Sequence, residues 1–425
     1  MRIFVTGFAH TQTIDPRDED LVNVCPFTEQ LWYFAKMMVD RGHEVIHIGM
    51  PGSVVPAGVE HVDGASEEVW RVLYGSRGPL EPFILSIDHA YGKHWNDFAA
   101  KVRQIVLARG GEPYSSIVAT LCPYEPAIKD LPQIVVEVGI GYPKAVSPFR
   151  VYLSNAWRHF HEGLEGNWGG DKWYRQVIPL GLNLDLFGPV VPTRDKQDFF
   201  LVQTRMLEPK GVRIAVQVAR ELQTPIILTG RGDASPFVAE WPQGAKYAGI
   251  SSLKVRRELM RSAKALLSPT RYVEPLGAVA LEAMASGCPV ISSDFGGFTE
   301  TVVHGYTGWR CNTFDEYVWA ARNAGRIDPF TCREWVERNN NFERVGAAYE
   351  EYFESLLRLR LRAGKLKAGA DWLDAGPATE RKMLGRAFRD YSMFGTFPTS
   401  TPVEIRQDIK PGESPDAGIY YHLRG

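Results

Sequence analysis

The strongest constraint on the fold is an alternation of short apolar runs with helical segments along most of the chain. Amphipathic stretches such as 27–41 and 95–109 separate the runs, and several runs end at a glycine. Parallel strands joined by helices are buried on both faces, so they read as continuous apolar runs. The pattern predicts an α/β protein built on parallel sheets. The predicted strands lie at 3–6, 43–48, 83–87, 116–121, 133–138, 199–204, 225–230, 265–268 and 289–292.

The chain of 425 residues is long enough for two to three domains. Pro179 and Gly181 interrupt it between two groups of predicted strands, as a hinge or boundary does. We expect an amino-terminal domain over 1–178 and a second domain over 179–355. For residues 356–425 we expect a helix and a tail that pack back on the first domain, stay disordered or contact a partner.

Composition excludes several classes of function. The formal net charge of -2 gives no electrostatic reason for binding nucleic acid or an anionic membrane. Five scattered cysteines without metal-ligand spacing indicate reduced thiols in a cytosolic protein. The start, MRIFVTG, is typical of a first strand and not of a signal peptide. No apolar run approaches the ~20 residues of a transmembrane helix. We expect a cytoplasmic location.

The stretch 271–308 contains the most distinctive pattern for function. Glu274 precedes Pro275, a residue favoured at the first helical position, and a helix-forming segment runs from Leu276 to Ala285. Small residues crowd the predicted helix start, so its free N–H groups can approach an anion such as a diphosphate. Glu282 lies two turns further along, where a buried carboxylate needs hydroxyl partners such as a ribose diol. A capped surface helix with solvated glutamates is the structural alternative.

Three motifs in this stretch carry a resemblance to a known family. They are EPLGAVALEAMASGCPVISSD from Glu274, GG-x-x-E at 296–300 and HGYTGW at 304–309. Together they resemble the donor-site signature of retaining glycosyltransferases of the GT-B fold, family 4 or group 1 type. The resemblance covers about residues 1–355 and is firm over 176–310. It implies two doubly wound Rossmann-like domains that face each other across a cleft. Residues 150–174 also resemble a segment of viral and environmental glycosyltransferases, which suggests phage origin and a host cytoplasm.

The segment TRMLEPKG resembles the family's G-R-L-x-x-x-K-G motif, with the same interval between Arg205 and Lys210. The resemblance implies that these two cations hold the nucleotide diphosphate. An arginine fork and a lysine point charge suit phosphate, and they neutralise a diphosphate as it leaves. Thr204 departs from the family's usual glycine at this point.

The resemblance also implies the remaining donor contacts. Glu274 would orient the hydroxyls of the transferred sugar, and Glu282 would hold the nucleotide ribose. The turn at Gly249 resembles the one whose backbone contacts the nucleobase, and Gly7 ends a strand at the crevice. Backbone groups would cradle the phosphates at Leu276, Gly277, Ala278 and Val279, assisted by Gly296 and Gly297. The family needs no metal or other cofactor, and we identify no metal ligands.

Acceptor-side residues are the least constrained by the sequence. His10 lies in a long polar connection, and Glu125 follows a predicted strand that should line the crevice. His161 lies in an aromatic stretch suited to stacking on sugars. The alternative for that stretch is an interdomain helix with ordinary histidines. Asp18-x-Asp20 has the form of a metal-binding motif, but no apolar strand precedes it, so we interpret it as a solvated loop.

We therefore expect a transferase that moves a sugar from a nucleotide-sugar to an acceptor hydroxyl, with retention. The acceptor stays open between a glycan, a small molecule and a modified nucleic acid, and so does the oligomeric state. Three alternatives remain: a glycogen- or sucrose-type enzyme, a nucleotide-sugar epimerase or hydrolase, and an inactive nucleotide-binding protein.

Overall fold

The first domain is built on a sheet of seven parallel strands. The computed structural model describes residues 1–9, 12–22, 26–68, 93–121, 125–166 and 174–362. For residues 93, 94, 125, 126 and 359–362 it describes the backbone but not the side chains. The strands are β1 (Arg2–Thr6), β2 (Glu44–Gly49), β3 (Glu60–Asp63), β4 (Ser116–Thr120), β5 (Ile134–Ile140), β6 (Phe149–Tyr152) and β7 (Arg175–Val177). Their spatial order is β3-β2-β1-β4-β5-β6-β7. Strands β2 and β3 are added on one side of β1, and β4 to β7 are added on its other side. The loops that follow β1 and β4 therefore diverge, and in such sheets ligands bind in the crevice between these loops.

Helices cover the faces of this sheet. They are α1 (Pro26–Asp40), α2 (Lys93–Arg109), α3 (Glu125–Ile128) and α4 (Asn155–Leu164). Ile3, Phe4 and Val5 of β1 are all fully buried, as expected for a central strand covered on both faces.

The second domain is built on a parallel sheet of six strands. They are β8 (Phe200–Gln203), β9 (Ile226–Thr229), β10 (Ala245–Tyr247), β11 (Ala265–Ser268), β12 (Val290–Ser293) and β13 (Gly308–Cys311), in the order β10-β9-β8-β11-β12-β13. Its helices are α5 (Val212–Glu221), α6 (Ser235–Val238), α7 (Leu253–Ser262), α8 (Ala278–Ala285), α9 (Phe298–Thr301), α10 (Phe314–Arg322) and α11 (Pro329–Asn339). The reversal between β8 and β11 places the loops that follow these strands at the crevice.

The last described helix, α12 (Phe342–Arg362), returns to the first domain. Phe34 of α1 contacts the rings of Tyr349 and Phe353, with centroid distances of 5.1 and 6.3 Å. Leu182 N donates to Asn340 O at 2.7 Å, so the two segments that join the domains lie side by side. None of the described helices is long and apolar enough to cross a membrane.

Several elements differ from the sequence expectations. The helix expected from Leu276 begins at Ala278, because Gly277 has a left-handed φ of 81°, so Pro275 lies outside it. The strands β3, β6 and β7 were not predicted, and β6 and β7 lie at the two ends of the stretch 150–174. The predicted strand 83–87 lies outside the described residues, and so do residues 363–425 of the expected helix and tail.

Candidate active site

Two loops at the carboxyl edge of the second sheet bring Lys210 and Glu274 together. Lys210 Nζ lies 2.9 Å from Glu274 Oε2, and both side chains are about 15% exposed. The backbone fixes the contact, since Arg271 N donates to Pro209 O at 2.7 Å. Gly211, at φ 72°, permits this approach, because a Cβ there would lie 1.8 Å from Pro269 O. A paired, largely buried cation and anion thus meet where the strand order reverses.

Tyr272 is a third member of this cluster, and the sequence analysis did not identify it. Its hydroxyl donates to Glu274 Oε2 and contacts Lys210 Nζ, which lies 4.5 Å from the ring centroid. Burial, together with the Glu274 carboxylate, raises the pKa of Tyr272 well above its ordinary value. In an extended backbone, side chains two residues apart point to the same side. The spacing of Tyr272 and Glu274 was therefore the available sequence signal that Tyr272 lies beside the carboxylate.

Two neighbouring glycines, Gly296 and Gly297, pack closely against the backbone of Glu274. Gly297 N donates to Glu274 O at 2.7 Å. A Cβ on Gly296 would lie 2.8 Å from Glu274 N, and one on Gly297 would lie 2.5 Å from the Cα of Leu276. The two glycines therefore allow one loop to pack directly on the other, which fixes the position of Glu274.

The start of α8 lies next to this cluster. Gly277 stands before the helix at φ 81°, and a Cβ there would lie 2.3 Å from the ring of Phe298. Ala278 and Val279 open the first turn, and their N–H groups have no acceptor within the helix, whereas Ala280 N donates to Gly277 O at 2.8 Å. Together with the helix dipole, these groups make a favourable position for an anion beside Lys210 and Glu274.

Arg205 follows β8 and is exposed. In the described part of the chain, no carboxylate lies within ion-pair distance of its guanidinium. It lies close enough to Tyr272 to oppose the rise in the pKa of that phenol. The structure thus places two cations, Arg205 and Lys210, near the phenol of Tyr272.

Glu282 occupies a separate position on α8. Its side chain is 19% exposed, and its Oε2 lies 3.4 Å from Arg256 Nε of α7. Burial raises the pKa of Glu282, and the Arg256 guanidinium opposes that rise.

Gly249 lies just beyond β10, in a turn at φ 77°. Its carbonyl accepts from Gly230 N and from Thr229 Oγ1, each at 2.9 Å. A Cβ on Gly249 would have no neighbour within 4 Å among the described residues, so space adjoins this turn.

Among the described residues are Gly7, a donor-site candidate, and His161, an acceptor-side candidate. Gly7 serves a close backbone contact, since its N–H donates to Ile48 O at 2.7 Å. His10 and the side chain of Glu125 lie outside the described residues. His161 is 2% exposed, and its Nε2 lies 2.9 Å from Tyr142 O. Burial lowers the pKa of His161. In this structure His161 is packed into the first domain, and a contact with the acceptor stays a prediction.

Glu300, the last residue of GG-x-x-E, joins the two domains. Its buried carboxylate accepts from Asn155 N and Nδ2, each at 2.9 Å, and from Ala156 N at 2.8 Å. Ser154 Oγ donates to Pro275 O at 2.6 Å. The start of α4 is therefore held by the same loops that position Glu274. The described residues contain no group of three or more His, Cys, Asp or Glu side chains that could hold a metal ion.

Comparisons with known proteins agree with this geometry. Residues 243–324 match the family described as Glycosyl transferases group 1. A glycogen synthase of Mycobacterium tuberculosis is 47% identical over 118 residues, which are 25% of this chain and 28% of that protein. Sucrose-phosphate synthase from Thermosynechococcus elongatus has a TM-score of 0.64 at 16% identity, over 84% of this chain and 99% of that one. HepE of Anabaena, solved with UDP and glucose, has a TM-score of 0.56 at 15% identity, over 84% and 100% of the chains.

Two parallel-sheet domains with these structural neighbours define the GT-B fold. The segment that matches the family contains Glu274, Glu282 and the glycine pair. The chain therefore has the GT-B fold, and its residues 243–324 form a segment of the Glycosyl transferases group 1 type. It spans 28% of the length of the glycogen synthase, so it matches only part of that relative.

Proposed function

We propose that this protein transfers a sugar from a nucleotide-sugar donor to an acceptor hydroxyl, with retention of anomeric configuration and without a bound metal. The observation that carries the proposal is the cluster of Lys210, Tyr272 and Glu274 at the start of α8. It combines a cation and free helical N–H groups for a diphosphate with a carboxylate for sugar hydroxyls.

In this proposal Arg205, Lys210 and the first turn of α8 bind the diphosphate. Glu274 accepts hydrogen bonds from the transferred sugar, Glu282 from the ribose, and the turn at Gly249 contacts the base. We also propose a cytoplasmic location, where thiols such as the free, buried Cys288 stay reduced.

The chemistry needs charge stabilisation on the donor side. The bond between the anomeric carbon and the diphosphate oxygen breaks, and its electron pair stays on the diphosphate. The acceptor oxygen bonds to the anomeric carbon on the same face, and its proton passes to the departing diphosphate. Preorganised cations and N–H groups stabilise the negative charge that develops on the leaving group.

Calorimetry against UDP, GDP, ADP and TDP, with and without a chelator, tests the donor site. HepE was solved with UDP and with UDP-glucose, so UDP is the first nucleotide to measure. We expect one nucleotide to bind with or without chelator. We expect Lys210→Ala and Glu282→Ala to weaken that binding by roughly tenfold or more, since a hydrogen bond to a charged group contributes about 1.5–3 kcal/mol.

Matched controls come from the same domain. Lys264→Ala removes a lysine that pairs with Asp198 on the surface, and Glu258→Ala removes a carboxylate that pairs with Arg261. Both controls should bind the nucleotide like the wild type. The donor-site assignment fails if none of the four nucleotides binds, or if the site variants behave like the controls. NMR of the product formed with the matching nucleotide-sugar then tests retention.

A further inference from the structure

Arg256 lies between two carboxylates that belong to different domains. Its Nη2 lies 3.1 Å from Glu29 Oε1 of α1, and its Nε lies 3.4 Å from Glu282 Oε2 of α8. The three side chains are 13%, 7% and 19% exposed. Tyr33, one turn along α1, donates its hydroxyl to Glu29 Oε2 at 3.2 Å. One arginine therefore connects the first domain to the residue proposed to hold the ribose.

The charges explain why an arginine is needed at this position. Burial raises the pKa of Glu282, and the nearby Glu29 carboxylate raises it further, while Arg256 opposes both effects. Burial lowers the pKa of Arg256, but the two carboxylates outweigh burial and raise it. Without the guanidinium, two poorly solvated negative charges would face each other across the domain interface.

The surrounding contacts show that α7 docks on the first domain. Leu253 N and Lys254 N, at the start of α7, donate to Leu21 O and Glu19 O at 2.9 Å each. Arg257 Nη2 donates to Pro16 O at 3.1 Å. The polar segment 16–21 of the first domain thus supplies acceptors that the first turn of this helix lacks within itself. Arg256 extends the same interface toward the donor site.

We infer that Arg256 is a positioning residue through which binding of the donor's nucleotide at Glu282 stabilises the contact between the two domains. The inference rests on the proposed function, because it takes Glu282 to be the ribose ligand. When the domains meet, Arg256 is held by Glu29, which fixes the orientation of the guanidinium beside Glu282. A ribose hydroxyl then donates to a carboxylate that is already oriented. By reciprocity, a nucleotide that binds this carboxylate better in the closed arrangement favours closure.

The test combines calorimetry with small-angle X-ray scattering on the full chain, using the nucleotide that binds the wild type. We expect Arg256→Gln to weaken nucleotide binding by roughly tenfold and to abolish the nucleotide-induced decrease in the radius of gyration. We expect the double variant Arg256→Gln/Glu29→Gln to recover at least about threefold of the affinity, because it removes the uncompensated charge opposite Glu282. A defect of folding alone would not be rescued by a second substitution in the other domain.

Two further variants complete the design. Arg261→Gln removes an arginine of the same helix that pairs with Glu258 on the surface, and it should bind like the wild type. Glu29→Gln alone leaves the Arg256–Glu282 pair in place. It should bind nucleotide within about threefold of the wild type but should compact less.

The outcomes separate the two proposals. Wild-type affinity in Arg256→Gln, or no recovery in the double variant, overturns the coupling and leaves the proposed function standing. If Arg256→Gln does not fold, as judged by circular dichroism, full compaction in Glu29→Gln overturns the coupling by itself. Absence of nucleotide binding to the wild type overturns the proposed function, and the coupling with it.

Discussion

At the scale of single residues, Gly277 combines two requirements that other residues cannot meet. Its φ is 81°, and a Cβ would lie 2.3 Å from the ring of the fully buried Phe298. We expect Gly277→Ala to lower the free energy of unfolding by more than about 2 kcal/mol, because it adds overpacking to backbone strain. Urea denaturation followed by circular dichroism measures the change.

Gly249 is the matched control for this prediction. Its φ is 77°, but nothing lies within 4 Å of the Cβ position among the described residues. Gly249→Ala should therefore lower the free energy of unfolding by only about 1 kcal/mol, which is the strain of an alanine in the left-handed conformation. Equal costs for the two substitutions would contradict the role of Phe298.

His47 gives a prediction about pH. It is fully buried in β2, with Nδ1 at 2.9 Å from His61 Nδ1 and Nε2 at 3.0 Å from Thr13 Oγ1. Burial, assisted by His61, lowers the pKa of His47 from 6.5 to about 3. Below pH 6.5 the unfolded chain binds a proton that the folded protein excludes, so stability falls as the pH falls.

We expect the free energy of unfolding to fall by roughly 1.4 kcal/mol for each pH unit, which gives about 2 kcal/mol between pH 6.5 and pH 5. Urea denaturation at a series of pH values measures it. His47→Gln should flatten this part of the profile, whereas substitution of the exposed His159 should leave it unchanged. An unchanged slope in His47→Gln would show that other groups cause the pH dependence.

Residues of the candidate site differ in how far the sequence could identify them. The pattern of residues 271–308 is local, and the structure brings its Glu274 together with Lys210 from the preceding loop. Arg256 and Glu300 gain their significance from residues of the first domain, and no local spacing signals contacts at such separations. His161 has aromatic neighbours in the sequence that suit either a core or a sugar site, and this local pattern does not reveal how far the ring is buried.

At the scale of elements, α12 is the last described helix, and it packs on the first domain. Phe353 is fully buried and packs against Phe34 of α1. We expect Phe353→Ala to destabilise the protein by about 3–5 kcal/mol, because it leaves a cavity in a packed core. Phe330→Ala, at a residue that is 53% exposed, is the control and should cost less than about 1 kcal/mol. Chemical denaturation monitored by tryptophan fluorescence compares the two, and similar costs would contradict the packing of α12.

The prediction of strands succeeded where an apolar run stood apart from its polar flanks, as in β8, β9, β11 and β12. It missed β6 and β7, which border the aromatic stretch 150–174 and have four and three residues, too few to show a strand pattern there. The start of α8 was placed too early because the sequence does not reveal that Gly277 adopts a left-handed conformation.

At the scale of the whole molecule, the two domains are joined by buried polar contacts beside the cleft. The carboxylate of Glu300 accepts from three N–H groups of the other domain. Glu300→Gln removes the negative charge and leaves one oxygen as acceptor. We expect it to weaken the interdomain contact by about 1–3 kcal/mol, seen as a larger radius of gyration and faster limited proteolysis.

Glu334→Gln is the control for this effect. Glu334 forms a surface ion pair with Arg338, which contributes less than about 0.5 kcal/mol. If Glu300→Gln is as compact and as resistant to proteolysis as Glu334→Gln, the contact at the start of α4 does not hold the domains together.

The return of α12 to the first domain has a consequence for biosynthesis. The surface of α1 that Tyr349 and Phe353 cover is made early in translation, and its covering helix is made after the whole second sheet. At ~5–20 residues per second the interval is on the order of tens of seconds. At its end the second domain has all its strands, while the first still exposes Phe34 to solvent and to chaperones. Ribosome-bound chains that end at Asn341, followed by a linker long enough to bring this residue out of the ribosome, should therefore be cleaved by protease in the first domain and protected in the second.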